Sequence, residues 1–353
     1  MEACSSFTGE LAGTYYSLNS LTEAQRQQLI ADHFLFKEGD RFLDACGLNR
    51  NWPEGRGIFH NNEKTFLVWV NEEDQLRIIS MQNGADIGAV FRRLATAAAA
   101  IEKVARFSHN NQLGYITSCP TNLGTALRAS VHIALPNLGQ RKQEFEAIAD
   151  RFKVQIRGIH GEHSESADHV YDISNKRRLG LSEVELVQDM YNGVKAMIER
   201  EKELRPAEEE TKCGSHLRKA ADIDGFPIFP PGTESLLSKC LTRDIWNQLK
   251  DKTDAVGFSF REAILSGCQN TDSGIGVYAG SHDSYTAFAP LMDKIILEYH
   301  GHAKGAQHVS DMDHTKLRCP PFAAADAAMI KSTRIRVGRN LAEFPLGPGV
   351  TRE

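Results

Sequence analysis

The chain has 353 residues, 41% of them apolar and 25% charged, and a formal net charge of −5. That is ordinary globular usage, enough for one large domain or two ordinary ones, and a net negative chain has no global attraction for nucleic acid or an anionic membrane. No apolar run approaches the roughly 20 residues that span a bilayer, and the opening Met1-Glu2-Ala3-Cys4 lacks the pattern of a secretory leader.

The spacing predicts a helix over residues 20–33, with Ser20 and Glu23 at capping-box separation and Leu29 and Ile30 on its apolar face. Residues 65–70 and 76–81 are apolar, β-rich runs around the polar link Asn71-Glu72-Glu73-Asp74-Gln75, which predicts a hairpin. Residues 85–106 are alanine-rich with helical spacing. Strand-like runs follow at 113–119, 129–135 and 153–158. Ser182 and Glu185 form a second capping box, ahead of a long helix with Val187, Met190, Tyr191, Val194, Met197 and Ile198 on one face. Composition shifts near residue 199. Residues 199–211 are almost wholly charged and 227–232 are rich in proline and glycine, so about 203–232 reads as a linker or arm. Residues 233–300 read as mainly helical, 301–330 as loop-like and 331–337 as a strand. Short strands among separate helices favour an α+β fold over a βαβ array.

The seven cysteines (Cys4, Cys46, Cys119, Cys213, Cys240, Cys268, Cys319) are scattered, with no Cys-x-x-Cys pair. Neither a disulfide framework nor a zinc site is expected, and a reducing, cytoplasmic setting fits. Both common phosphate-binding strings are missing. G-x-x-x-x-G-K-[ST] does not occur, and Gly274-Ile275-Gly276 lacks the third glycine of G-x-G-x-x-G. Side chains would have to hold any nucleotide, and arginine suits the task, because its guanidinium stays charged and offers a planar fork to phosphate oxygens. Arg334 and Arg336, two apart on one strand, would share a face. Arg77, Arg128 and Arg157 lie on or beside other strand-like runs. Taken singly, such arginines usually prove to be solvated surface charges.

The sharpest signal is Tyr115-Ile116-Thr117-Ser118-Cys119-Pro120-Thr121-Asn122-Leu123-Gly124-Thr125. A cysteine closes an apolar strand and a proline turns the chain. Thr121 follows where its hydroxyl could bond the sulfur and favour thiolate, whereas an isolated cysteine would read as buried and inert. The string from Cys119 to Thr125 resembles the active-site signature of the phosphagen kinases, the ATP:guanidino phosphotransferases. The resemblance continues through residues 32–36, 52–58, 69–74, Arg157-Gly158, Gly161-Glu162-His163, 171–178, 272–278 and 332–336. It covers the chain except its extreme N-terminus and about 205–232.

The resemblance implies a mainly antiparallel sheet flanked by helices, the glutamine synthetase-like catalytic domain of that family, plus a small all-α domain. It also implies a circularly permuted order. Residues 1–204 would supply the main part of the catalytic domain, 205–232 a linker, and 233–310 the small guanidine-specificity domain. Residues 311–353 would supply the catalytic domain's first strand and the start of a helix. Such an order fits a circular permutant or a slice across two tandem units. Its halves would meet in a monomer or in a domain-swapped dimer.

The reaction implied is reversible transfer of the ATP γ-phosphoryl to a guanidine nitrogen, giving ADP and a phosphoguanidine, with positioning and charge stabilisation doing most of the work. By the family match, Glu73 and Glu162 hold the guanidinium and could accept its proton, and Cys119 orients it as a thiolate. Arg77, Arg128, Arg157, Arg334 and Arg336 would bind the triphosphate, with His33 and His132 near the nucleotide. Mg²⁺ would arrive with ATP, held by phosphates and water without a protein cage; His160, Glu162, His163 and Glu165 fit no zinc spacing. Ser273, Gly274, Ile275, Gly276 and Tyr278 resemble the specificity loop of the arginine-using branch, where glycines allow close backbone approach. Thr121 leans the same way, so L-arginine is the expected acceptor. Ala279-Gly280 is less typical and leaves taurocyamine or creatine open. The alternative is a non-catalytic swapped-dimer fragment of a tandem phosphagen kinase.

Overall fold

The computed structural model describes residues 7–36, 38–158, 169–204, 220–221 and 225–350. Its frame is an eight-stranded sheet in which every neighbouring pair is antiparallel. In chain order the strands are β1 (Gly13–Ser17), β2 (Gly57–Asn61), β3 (Phe66–Val70), β4 (Leu76–Asn83), β5 (Leu127–Ala134), β6 (Val154–Gly158), β7 (Val170–Asn175) and β8 (Ile330–Arg339). Across the sheet they run β1-β2-β3-β4-β8-β5-β7-β6. The last strand of the chain therefore lies in the middle, hydrogen-bonded to β4 on one side and β5 on the other.

The helices are α1 (Glu23–Ala31), α2 (Arg41–Ala45), α3 (Ile87–Glu102), α4 (Lys142–Arg151) and α5 (Glu183–Glu203), then α6 (Leu236–Cys240), α7 (Arg243–Leu249), α8 (Phe260–Gln269), α9 (Ser284–Ala287) and α10 (Ala289–His300). Strand alternation sends Ile78, Leu127, Ala129, Val131, Ile335 and Val337 into one core with Phe91, Leu94, Val187, Met190 and Val194 of α3 and α5. A second core joins Leu237, Trp246, Phe260, Ile264, Phe288 and Met292 of the small domain. Ile116, Leu123 and Leu179 of residues 1–204 are buried in that same core. At about 1.5–3 kcal/mol for each buried side chain, they fasten the small domain to the sheet.

The hairpin, the Ser182–Glu185 capping box and the long helix after it stand as expected. The first helix is capped by Thr22 with Gln25, not by Ser20 with Glu23, because Ser20 ends a preceding 3-10 turn. Only Gly114-Tyr115 of the expected strand at 113–119 is paired as strand, since Gly114 takes φ +67 and Pro120 starts a turn. Segment 301–330 is loop apart from a 3-10 turn at His314–Lys316 and a helical turn at Ala324–Ala327. In the expected linker, Ala220–Ala221 pairs with Pro227–Ile228, and residues 205–219 and 222–224 lie outside the described residues. No helix among the described residues is long and apolar enough to cross a membrane.

Candidate active site

Directly opposed residues of antiparallel strands share a face. Arg336 opposes Arg128 on β5 and Ile79 on β4. Arg334 opposes Ser130 and Met81, and Arg77 opposes Gly338. Ser332 opposes His132, His132 opposes Asp172, and Asp172 opposes Arg157. Strand pairing thus puts all five expected arginines, and His132, on the face opposite α3 and α5. Arg77, Arg128 and Arg336 line one small cavity there with Asp74, Asn122 and Arg178.

The charges on this face do not cancel. The Arg77 guanidinium lies 2.9 Å from Glu72 and 2.9 Å from Glu73. Arg128 lies 3.0 Å from Asp172. Burial works to raise the Asp172 carboxyl, but His132 and Arg128 outweigh it and hold the group at about 2. Among the described residues, Arg334 and Arg336 form no ion pair. Burial, with Arg77 and Arg128 nearby, pulls Arg334 down to about 10. The same burial, with Arg77, Arg334 and Arg128 around it, pulls Arg336 well below its usual value. Burial pushes the Glu73 carboxyl up to about 7; Arg77 and Arg336 pull against that, while Asp74 and Glu72 add to it.

Cys119 is buried, 5% exposed, with its sulfur 3.0 Å from the Thr121 hydroxyl. That contact is the one expected. Burial and the Glu73 carboxylate push the thiol up to about 12, against the weaker pull of Thr121 and Arg178. Beside it, the buried carboxylate of Asp74 accepts from the Ser118 amide at 2.9 Å and from Asn340 at 2.7 Å. It ties the turn after β3 to the Cys119 loop and to the end of β8. The sequence reading gave no role to Asp74 or Arg178, though both stand in the strings that carried the resemblance.

Ser273 to Tyr278 packs beside Cys119. Tyr278, Cys119, Leu43, Cys46 and Leu48 form one buried cluster, with Ile275 against it. Gly276 takes φ +83, and its carbonyl accepts from Gly267 of α8 at 3.1 Å. A Cβ on Gly276 would lie 3.0 Å from the Gly267 Cα, so the loop and helix touch only because both positions are glycine. A cavity of about 310 Å³ reaches Glu72, Glu73 and Asp74 from Gly47, Leu48 and Arg50. His33 lies elsewhere, in a cavity of about 640 Å³ with Leu18, Arg26, Phe36 and Trp52. It follows α1 and is exposed. Glu162 falls outside the described residues, with His160, His163 and Glu165.

A mixed sheet-and-helix fold with an arginine-lined face beside a carboxylate and a cysteine defines a class of phosphate-handling, two-domain proteins. Residues 1–204 match the ATP:guanido phosphotransferase, C-terminal catalytic domain, and residues 231–297 match the ATP:guanido phosphotransferase, N-terminal domain. The chain belongs to the ATP:guanido phosphotransferase family, with its two domains in circularly permuted order. It is 52% identical over 351 residues to an arginine kinase of Anthopleura japonica, an alignment covering 98% of this chain and 47% of that protein. It is 57% identical over 200 residues to arginine kinase Lit v 2 of Penaeus vannamei, covering 57% of this chain and 56% of that one. Among solved structures, lombricine kinase matches at 46% identity and TM-score 0.55, over 57% of each chain. The duplicated taurocyamine kinase from Schistosoma mansoni, with bound transition state analog components, matches at 37% identity and TM-score 0.53, over 85% of this chain and 42% of that one. The chain spans about half the length of the curated relatives it matches.

Proposed function

We propose that the chain is a guanidino kinase that moves the γ-phosphoryl of ATP reversibly onto L-arginine, giving ADP, phosphoarginine and a proton. The observation that carries this reading is the unpaired, half-buried couple Arg334 and Arg336 beside Arg77 and Arg128. Guanidinium groups crowded on one face call for a polyanion, and a triphosphate supplies it. Glu73, with its carboxyl raised toward neutrality, sits at the edge of that cradle, where it can align the acceptor guanidinium and take the proton that the attacking nitrogen loses. Glu162 is assigned to the same task on the family match alone. A bound guanidinium beside Cys119 would draw its thiol down and favour the thiolate. No group of three or more acidic, histidine or cysteine donors that could hold a metal comes together among the described residues. Mg²⁺ would enter with the nucleotide, held by phosphate and water, and neutralise phosphate charge there.

Arginine is favoured as acceptor by the loop of Ser273, Gly274, Ile275, Gly276 and Tyr278 and by the relatives named arginine kinase. The free cysteines Cys46, Cys119 and Cys240 suit a reducing cytoplasm. The site is built within one chain, which favours a monomer. A coupled assay of MgATP with arginine, creatine and taurocyamine, run beside a solution mass measurement, tests these points. The expected result is turnover fastest with arginine by a monomer. A folded monomer that phosphorylates none of the three would defeat the proposal.

A further inference from the structure

The five backbone carbonyls centred on Cys119 each have a donor. The Thr117 carbonyl accepts from the Tyr285 hydroxyl at 2.8 Å, and the Ser118 carbonyl from the Ala279 amide at 2.8 Å. The Cys119 carbonyl accepts from the Thr117 hydroxyl at 2.9 Å. The Pro120 carbonyl is 2.9 Å from His300 Nε2, and the Thr121 carbonyl 2.7 Å from Arg178. Tyr285, Ala279 and His300 all belong to the small domain. Tyr285 stands at the start of α9 and His300 ends α10, and both rings are buried. The backbone around the catalytic-domain cysteine is thus shaped largely by donors from the other domain.

We propose that His300 and Tyr285 are positioning residues for the Cys119 turn, setting where its sulfur and the Asn122 amide stand relative to Glu73. Asn122 Nδ2 is 3.4 Å from the Glu73 carboxylate, so a small shift of the turn alters that edge of the site. Buried carbonyls cannot exchange a lost donor for water, so Tyr285→Phe strips the Thr117 carbonyl of its donor and His300→Leu leaves the Pro120 carbonyl only the long 3.4 Å contact from the Leu123 amide, losses that the turn relieves by moving. Misplacement of about 1 Å can cost roughly 100-fold in rate. To donate to the Pro120 carbonyl, His300 must carry its proton on Nε2. Burial first, and then Arg178, His302 and Arg177, favour the neutral ring over the pull of that carbonyl.

The inference rests on the kinase reading for its catalytic consequence, so the test has a readout that needs no turnover. Tyr285→Phe deletes one oxygen, His300→Leu deletes the donor, and His300→Gln keeps a donor of similar reach. For each, kcat and both KM values are measured, together with the rate at which iodoacetamide alkylates Cys119, resolved by peptide mass. Tyr285→Phe and His300→Leu should lower kcat by about 10- to 100-fold and speed alkylation of Cys119. KM for MgATP should hold, because the arginines lie on separate strands. His300→Gln should recover most of both. Equal damage from His300→Gln and His300→Leu, or unaltered alkylation in folded variants, overturns the proposal. If His300→Leu does not fold, Tyr285→Phe decides alone. Faster alkylation in a chain inert toward every guanidine would sink the kinase reading and leave this inference standing.

Discussion

Replacing Arg334 by Met should make the ligand-free protein more stable and the nucleotide complex weaker. Arg334 is pulled below its usual value to about 10 by burial and by Arg77 and Arg128. At about 1.36 kcal/mol per pKa unit, that corresponds to at most ~3 kcal/mol of unfavourable surroundings for the charge. Both the folded and unfolded values lie above 7, so the group is protonated in both states and folding carries the cost at neutral pH. The cost would fade only as pH rose through about 10 and beyond. Arg334 keeps some solvent contact, so screening reduces the sum to about 1–2 kcal/mol. At about 2.1 cal/mol/K per residue, a chain of 353 residues converts that into a Tm gain of about 1.5–3 °C. A lost charge-assisted contact, about 1.5–3 kcal/mol, should weaken MgADP by about 10- to 100-fold.

Thermal unfolding with and without MgADP reads both effects. Nucleotide at a hundred times its Kd adds about 2.7 kcal/mol to the original protein, and at the same concentration only about 0.4–1.4 kcal/mol should remain in the variant. If Arg334 were a structural residue, its loss would lower the ligand-free Tm and leave the MgADP shift intact, and that result would refute the reasoning.

For Glu73, kcat/KM for the guanidine should rise with pH through about 7, since only the carboxylate can align a cation or accept a proton. Glu73→Gln should be nearly inactive and flat over that range, whereas a wild-type profile flat from about pH 6 to 8 would remove Glu73 from the role. Cys119→Ala should cut kcat by about 100-fold or more with its Tm little changed; an unchanged rate would take Cys119 out of the site. Gly276→Ala forces a Cβ onto φ +83 and to 3.0 Å from Leu237 Cβ, a strain of about 1–3 kcal/mol. Denaturant unfolding should show the loss, and KM for the guanidine should rise while KM for MgATP holds. A parallel rise in both would argue against a loop devoted to the acceptor.

What the sequence disclosed and what it withheld divide by range. Arg334 and Arg336 could be placed on one face because strand geometry repeats every two residues, and the pairing of β8 with β4 and β5 then aligned them with Arg77 and Arg128. The capping box at Ser182 was equally local. His300 was out of reach of such reasoning, since 180 positions separate it from Pro120. Asp74 looked like one more acid in an acidic link until the fold buried it against Ser118 and Asn340. At Cys119 the Thr121 hydroxyl is where the spacing put it, while burial pushes the thiol up against its pull. His33 carried only a family match, and it lines a cavity apart from the one shared by Arg77, Arg128 and Arg336.

The permuted order of the domains matters less to the site than it first suggests, because the site needs β8 between β4 and β5 and not any particular way of arriving there. The contacts that hold β8 say what is being recognised. Arg339, at its end, is 1% exposed and lies 3.7 Å from Glu183, which is wholly buried at the start of α5. The same carboxylate accepts from the Ser310 hydroxyl at 2.7 Å and from the Asp311 amide at 2.7 Å. Breaking a buried pair from one side costs about 3–5 kcal/mol, so a wrongly registered strand would be heavily disfavoured. Glu183 thus reads the strand and the segment leading to it together. Those contacts would be met equally by residues 310–339 of a second copy. The arginines, the Cys119 turn and Asp74 would find the same partners in either case.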